Sequence, residues 1–276
     1  MGIDEPIDQS KLLWHYTNWS ALEGILQSRS IWASHVAFLN DEKEIKNAVG
    51  LAISEMDHGP GRNAPTDALE FAKQALVGSS EINICVASFS AAFDQLSQWR
   101  AYASSLPGVA IGFDRAAMGQ LAERNAFRVQ GCIYSPQEQL THVKACIANW
   151  LERVERADKA SNRENYMSNS GWLFAQDVVS VAPRLKHPKF SEEAEWRIVT
   201  DPIKSTDDWG FHRAGSMVVP HIAIKLDHPQ VAFPIRSIAV GPNPHMSAVM
   251  TATTMLMQRY GVTPNVYASQ IPYRNW

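Results

Sequence analysis

Glu193, Glu195 and Arg197 occupy alternate positions in residues 193–200, so on an extended chain two acids and a cation share one face. Ala194, Trp196 and Ile198 take the other. Such a pattern suits a solvated strand face with charge pairing along it. It equally suits a cleft in which Arg197 keeps the glutamates ionised. Two further segments set polar groups where a strand would bury or align them: His15-Tyr16-Thr17, and Ser88-Phe89-Ser90 leading into Trp99 and Tyr102. On spacing alone His15 is either a core histidine with a satisfied hydrogen bond or a ligand contact. Ser90 is either a cap for the helix that follows or an orienting group for a glutamate, and Tyr102 either anchors its helix or presents its ring to a site.

The chain lacks the usual anchors of other chemistries. No GxxxxGK[ST] loop and no GxGxxG turn is present, which removes the two commonest phosphate cradles. No GxSxG elbow marks a serine hydrolase. Nine histidines are scattered without HExxH, and the three cysteines have no CxxC spacing, so no metal is expected. The odd cysteine count fits reduced thiols in a cytoplasm. A net charge of −3 gives no basic excess to advertise nucleic acid or an acidic membrane, and no apolar run is long enough to span one.

The elements that must position these residues follow from periodicity. Residues 12–17 alternate as a strand, with His15 beside Leu13 and Thr17 and with Trp14 and Tyr16 opposite. A helix follows, with Ser20 and Glu23 at capping-box spacing and Leu22, Ile25 and Leu26 as its apolar stripe. A second extended piece is expected at 30–38, a helix starting at 40–44 and ending near 56, a Gly/Pro loop at 58–65, and a helix over 66–77. Strands are expected at 82–88 and 108–114, a helix over 94–103, and a long amphipathic helix through Leu140 and Val154. A polar run over 155–169 reads as exposed. Strands near 219–226, 237–240 and 265–268 surround a Met-rich helix over 246–260. The pattern is α+β with a mixed sheet, without the regular alternation of a doubly wound fold.

Trp14-His15-Tyr16-Thr17, the Ser88-Phe89-Ser90 step into Trp99 and Tyr102, Gly112-Phe113-Asp114, residues 190–197 and Gly241-Pro242 together resemble a large bacterial family known as domain of unknown function 2971. The likeness spans nearly the whole chain. That family carries no established activity. A more distant resemblance does: residues 13–17, the helix with Gly24-Ile25-Leu26, and Ile31-Trp32 are similar to the first strand and helix of poly- and mono-ADP-ribosyltransferases of His-Tyr-Glu type. A serine-bearing turn, an aromatic on a helix and a late glutamate then follow in the same order.

This resemblance implies one domain over 1–276, a largely antiparallel split sheet with flanking helices, and helical insertions near 41–80 and 137–182. It implies NAD as substrate, consumed by transfer of ADP-ribose to a protein or nucleic-acid acceptor or by hydrolysis, as in a cytoplasmic toxin or phage-defence effector. Cleaving the nicotinamide-ribose bond passes through an oxocarbenium-like ribose, which a carboxylate stabilises. Glu195, or Glu193 before it, takes that role. His15, Tyr16, Thr17, Ser90, Tyr102 and Arg197 then bind NAD, with His15 on a ribose hydroxyl, Tyr102 stacked on nicotinamide and Ser90 orienting the glutamate. Two other readings stay open: a non-catalytic regulator on the same fold that binds a nucleotide or a partner, and a nucleic-acid-binding or nuclease component of a mobile-element or defence system.

Overall fold

The computed structural model describes residues 8–38, 42–102, 108–205 and 208–272. Along the chain come β1 (Leu12–Thr17), α1 (Trp19–Ser28), β2 (Ser30–His35), α2 (Glu42–His58), α3 (Thr66–Val77) and β3 (Cys85–Ser90). They are followed by α4 (Leu96–Tyr102), β4 (Val109–Asp114), α5 (Arg115–Glu123), β5 (Phe127–Gly131), α6 (Pro136–Asp158) and α7 (Arg163–Val181). The last third holds β6 (Glu195–Thr200), β7 (Gly210–Ala214), β8 (Met217–Lys225), β9 (Ile235–Val240), α8 (Met246–Arg259) and β10 (Asn265–Ala268). The fold is mixed α and β, as the periodicity implied.

The strands make one sheet in the order β10-β9-β4-β1-β3-β2-β8-β7, with β6 lying against β3 and β5 against β6. Among the described residues every strand pairing is antiparallel except that of β9 with β10. The centre of the sheet is irregular in one respect. On the edge of β3 away from β6, Val86 pairs with β2 through Ser34, whereas Ser90 pairs with β1 through Trp14. Between those points β1 and β2 part, and the sheet is split.

One sheet face is covered by α1, α5 and α8, whose Leu22, Ile25, Leu26, Met118, Leu121 and Met257 pack on Leu13, Phe89, Ile111, Ile198 and Ile238. On the other face α2, α3, α6 and α7 form a helical layer over Val86 and Val199, around the fully buried Trp150 and Phe174. Each such large side chain contributes about 1.5–3 kcal/mol by leaving water. A smaller cluster of Leu12, Trp14, Tyr16 and Trp99 seats α4 on this same face.

Local structure departs from the sequence reading at several points. The cap of α1 is Asn18, whose side chain accepts from Ala21 N, and not the Ser20 and Glu23 pair. The extended piece after α1 stops at His35 and tightens into a 3-10 turn over Val36–Phe38. Asn40 and Asp41 of the expected helix start lie outside the described residues. The polar run over 155–169 is largely exposed, as its composition implied, and forms the end of α6, a turn and the start of α7, within the helical segment expected near 137–182. Met167, Ser170, Gly171, Phe174, Ala175 and Val178 are buried at helical spacing.

Candidate functional site

The 3-10 helix Pro188–Glu193 ends in Ala194, which adopts a left-handed conformation (φ 42°), and β6 begins at the next residue. The sharp turn corrects the expectation that Glu193, Glu195 and Arg197 share a strand face, because Glu193 precedes the strand. Nor is the face solvated: Glu195 and Arg197 are only 6% and 4% exposed. Lys186 compensates their burial. Its Nζ donates to Glu195 Oε2 at 2.6 Å and also to Glu193, which swings back over the turn. Arg197 Nε donates to Glu195 Oε1 at 2.7 Å, and its guanidinium also reaches the Pro183 carbonyl.

Two acids and two bases thus form a quartet in which Glu195, Arg197 and Lys186 are buried and Glu193 is partly exposed. Burial pushes the Glu195 carboxyl upward, but Arg197 and Lys186 overcome it and hold the pKa below the ordinary carboxylate value. Burial likewise opposes the charge on Lys186, yet the two glutamates raise its pKa above the ordinary lysine value. Glu195 is therefore a carboxylate that stays charged inside the protein.

Several groups fix this turn. Ser90 Oγ donates to the Glu193 carbonyl at 2.6 Å and accepts from Ala92 N. Ser90 therefore does not cap α4; it joins the end of β3 to the turn that launches Glu195. Tyr134 Oη accepts from Glu195 N at 2.8 Å, and burial beside Glu195 pushes its phenol up to about 12. Gln95 Nε2 donates to the Glu192 carbonyl. Tyr102, at the end of α4, is half exposed. Burial of its hydroxyl and the charges of Glu195 and Glu193 raise its pKa, with Lys186 and Arg197 opposing, so the phenol is protonated at neutral pH beside the quartet.

Tyr16 serves α4 from below. Its hydroxyl donates to the Ala92 carbonyl and accepts from Gln95 N, and its ring meets Trp99 edge-on. With both hydrogen-bonding roles engaged, Tyr16 positions the helix that carries Tyr102.

His15 lies elsewhere. Cross-strand partners share a sheet face, so the series Trp14, Ser90, Glu195 points one way and His15, one residue on, points the other. Thr17 follows His15. The His15 ring enters the split, where Nδ1 donates to the Ser88 carbonyl at 2.9 Å, a group between the β2 and β1 pairings. Burial lowers the His15 pKa, with the Ser88 carbonyl opposing, so the ring is neutral and its other nitrogen is an acceptor.

A cleft of about 350 Å³ opens at this split. His15, Asn18, Gly24, Ser28, Ser30 and Trp32 are among the residues that line it. It runs along α1 beside the first residues of β2, whose edge toward β1 makes no strand pairing before Ser34. Gly24 faces open space, since a Cβ there would meet nothing within 4 Å.

The structure therefore gathers Glu193, Glu195, Arg197, Ser90 and Tyr102 about one turn, and places His15 at a separate cleft across the sheet. Lys186, Tyr134 and the serines of the cleft were not legible as site residues. Lys186 has no periodic partner in sequence, and only the fold brings it under β6. Among the described residues no three His, Cys, Asp or Glu side chains converge where a metal ion could sit. No helix is long and apolar enough to cross a membrane, among those residues.

Residues 98–198 match the model of a family described as protein of unknown function (DUF2971). The match runs from α4 to β6 and includes Tyr102, Glu193, Glu195 and Arg197, but is narrower than the resemblance read from the sequence. No curated protein matches the chain, and no solved structure does.

Proposed function

We propose that this chain is an NAD-consuming enzyme that transfers ADP-ribose to a protein or nucleic-acid acceptor, or to water. The observation that carries this reading is Glu195, buried yet held ionised by Lys186 and Arg197, beside the half-exposed ring of Tyr102. A fixed negative charge in a dry setting is what an oxocarbenium-like ribose requires, and a low-dielectric surround strengthens its effect. In the proposed reaction the bond from the ribose anomeric carbon to nicotinamide nitrogen breaks, and nicotinamide leaves with the electron pair. Glu195 stabilises the cationic sugar until the acceptor's nucleophilic atom bonds to that carbon and gives up its proton. Tyr102 supplies the stacking wall. The cleft at the split, with its neutral His15, lies across the sheet from this centre, out of reach of the same ribose.

The engagement of Glu195 by two cations favours a second reading, in which the quartet is structural and the chain binds a nucleotide or a partner without turnover. Supplying NAD to the purified protein and following nicotinamide release separates the two. Catalysis predicts release that Glu195→Gln and Tyr102→Ala abolish, with folding of both variants confirmed by circular dichroism. Binding of NAD without release supports the regulator. Absence of both removes the NAD reading.

A further inference from the structure

Beside the cleft, and sharing Trp32 with it, two imidazoles converge on the outer strands of the sheet. His212 on β7 and His221 on β8 are diagonal neighbours on one face, because Gly210 pairs with His221 and His212 with Val219. Their Nδ1 atoms stand 3.1 Å apart. The His221 ring is confined on both sides. Gly210 leaves room for it, since a Cβ there would come within 2.5 Å of Nε2. The half-exposed Trp32 indole stacks on the ring at 4.2 Å between centroids and lies 5.2 Å from that of His212.

We propose that His212 and His221 form a two-histidine site for a divalent late transition metal ion, bound through both Nδ1 atoms with water completing the coordination shell. Two imidazole nitrogens at Zn–N distances of about 2.0–2.1 Å and a tetrahedral angle are about 3.3 Å apart. The observed separation needs only a few tenths of an ångström of adjustment. A metal ion takes the place of the single proton that otherwise joins two such nitrogens. His212 is the less buried of the two and sits on the edge strand, which gives the ion its entry. Imidazole ligands select zinc, copper or nickel over magnesium.

Titration of the full chain with Zn²⁺ in a calorimeter, with Mg²⁺ as control, tests this site. One saturable Zn²⁺ per chain is expected, with no Mg²⁺ binding. His212→Gln should weaken Zn²⁺ binding by about tenfold or more, as loss of a ligand requires, and His212→Cys, which keeps a ligand, should retain it. Zn²⁺ should also raise the melting temperature of the wild type and not of His212→Gln, since binding to the folded state alone stabilises it. Undiminished Zn²⁺ binding by His212→Gln, or no saturable binding by the wild type, overturns the proposal.

Discussion

His15 and Glu195 stand two strands apart on opposite faces of one sheet, because Trp14, the neighbour of His15, is the residue in register with Ser90 and through it with Glu195. Their substitutions should act separately. His15→Ala should lower the melting temperature modestly and leave kcat and KM for NAD nearly unchanged. It removes a cleft wall and the hydrogen bond to Ser88, the latter contributing about 1 kcal/mol. Glu195→Gln should lower kcat and leave KM nearly unchanged. Steady-state kinetics and thermal unfolding of both variants check this. An equal loss of kcat in both would place the two residues in one reacting centre.

Arg197→Leu should be among the most destabilising single changes at this site. It strips Glu195 of a partner inside the protein, and breaking a buried ion pair from one side costs about 3–5 kcal/mol. Urea unfolding measures the loss. A variant within about 0.5 kcal/mol of wild type, the range of ordinary surface changes, would show that the pairing with Arg197 does not hold the turn.

Acid should weaken the fold through the same group. The folded-state pKa of Glu195 is depressed, so its stabilising contribution is complete above the unfolded-state value of about 4.3. That contribution is lost as pH falls through the folded-state value. The stability gap between wild type and Glu195→Gln should therefore shrink as pH drops from about 5 toward 2. A gap that stays constant over that range would mean that Glu195 carries no depressed pKa.

The alternation at 12–17 fixed the face of His15 correctly, since a two-residue period is a property of the strand itself. The helix over Thr66–Val77 and the strand at Asn265–Ala268 were legible for similar local reasons. Glu193 was misplaced because the left-handed turn at Ala194 leaves no mark in an Ala residue. The quartet itself was half visible. Glu195 and Arg197 advertise themselves by spacing, whereas Lys186 and Tyr134 reach them through tertiary contacts with no sequence period. The buried face of α7 was not legible for another reason: its positions include Ser170 and Gly171, which carry no hydrophobic signal.

Two glycines in helices should answer a methyl group in opposite ways. Gly24→Ala on α1 enters open space and should stabilise the fold by about 0.5–1 kcal/mol, because glycine is a poor helix former. Gly171→Ala on α7 would set a Cβ 2.9 Å from the Phe71 backbone of α3. Prising those helices apart should cost about 1–3 kcal/mol. Melting curves of the two variants test the packing directly, and a shift of the same sign in both would contradict it.

Glu195 is proposed to act on a reacting ribose and not merely on its neighbours in the fold. The most direct test pairs NAD affinity with nicotinamide release in wild type and Glu195→Gln, each confirmed folded. Similar affinity is expected, with a release rate about a hundredfold or more lower in the variant, the scale of losing one electrostatic stabiliser of a transition state. Equal release by both proteins, or no NAD binding by the wild type, would contradict it.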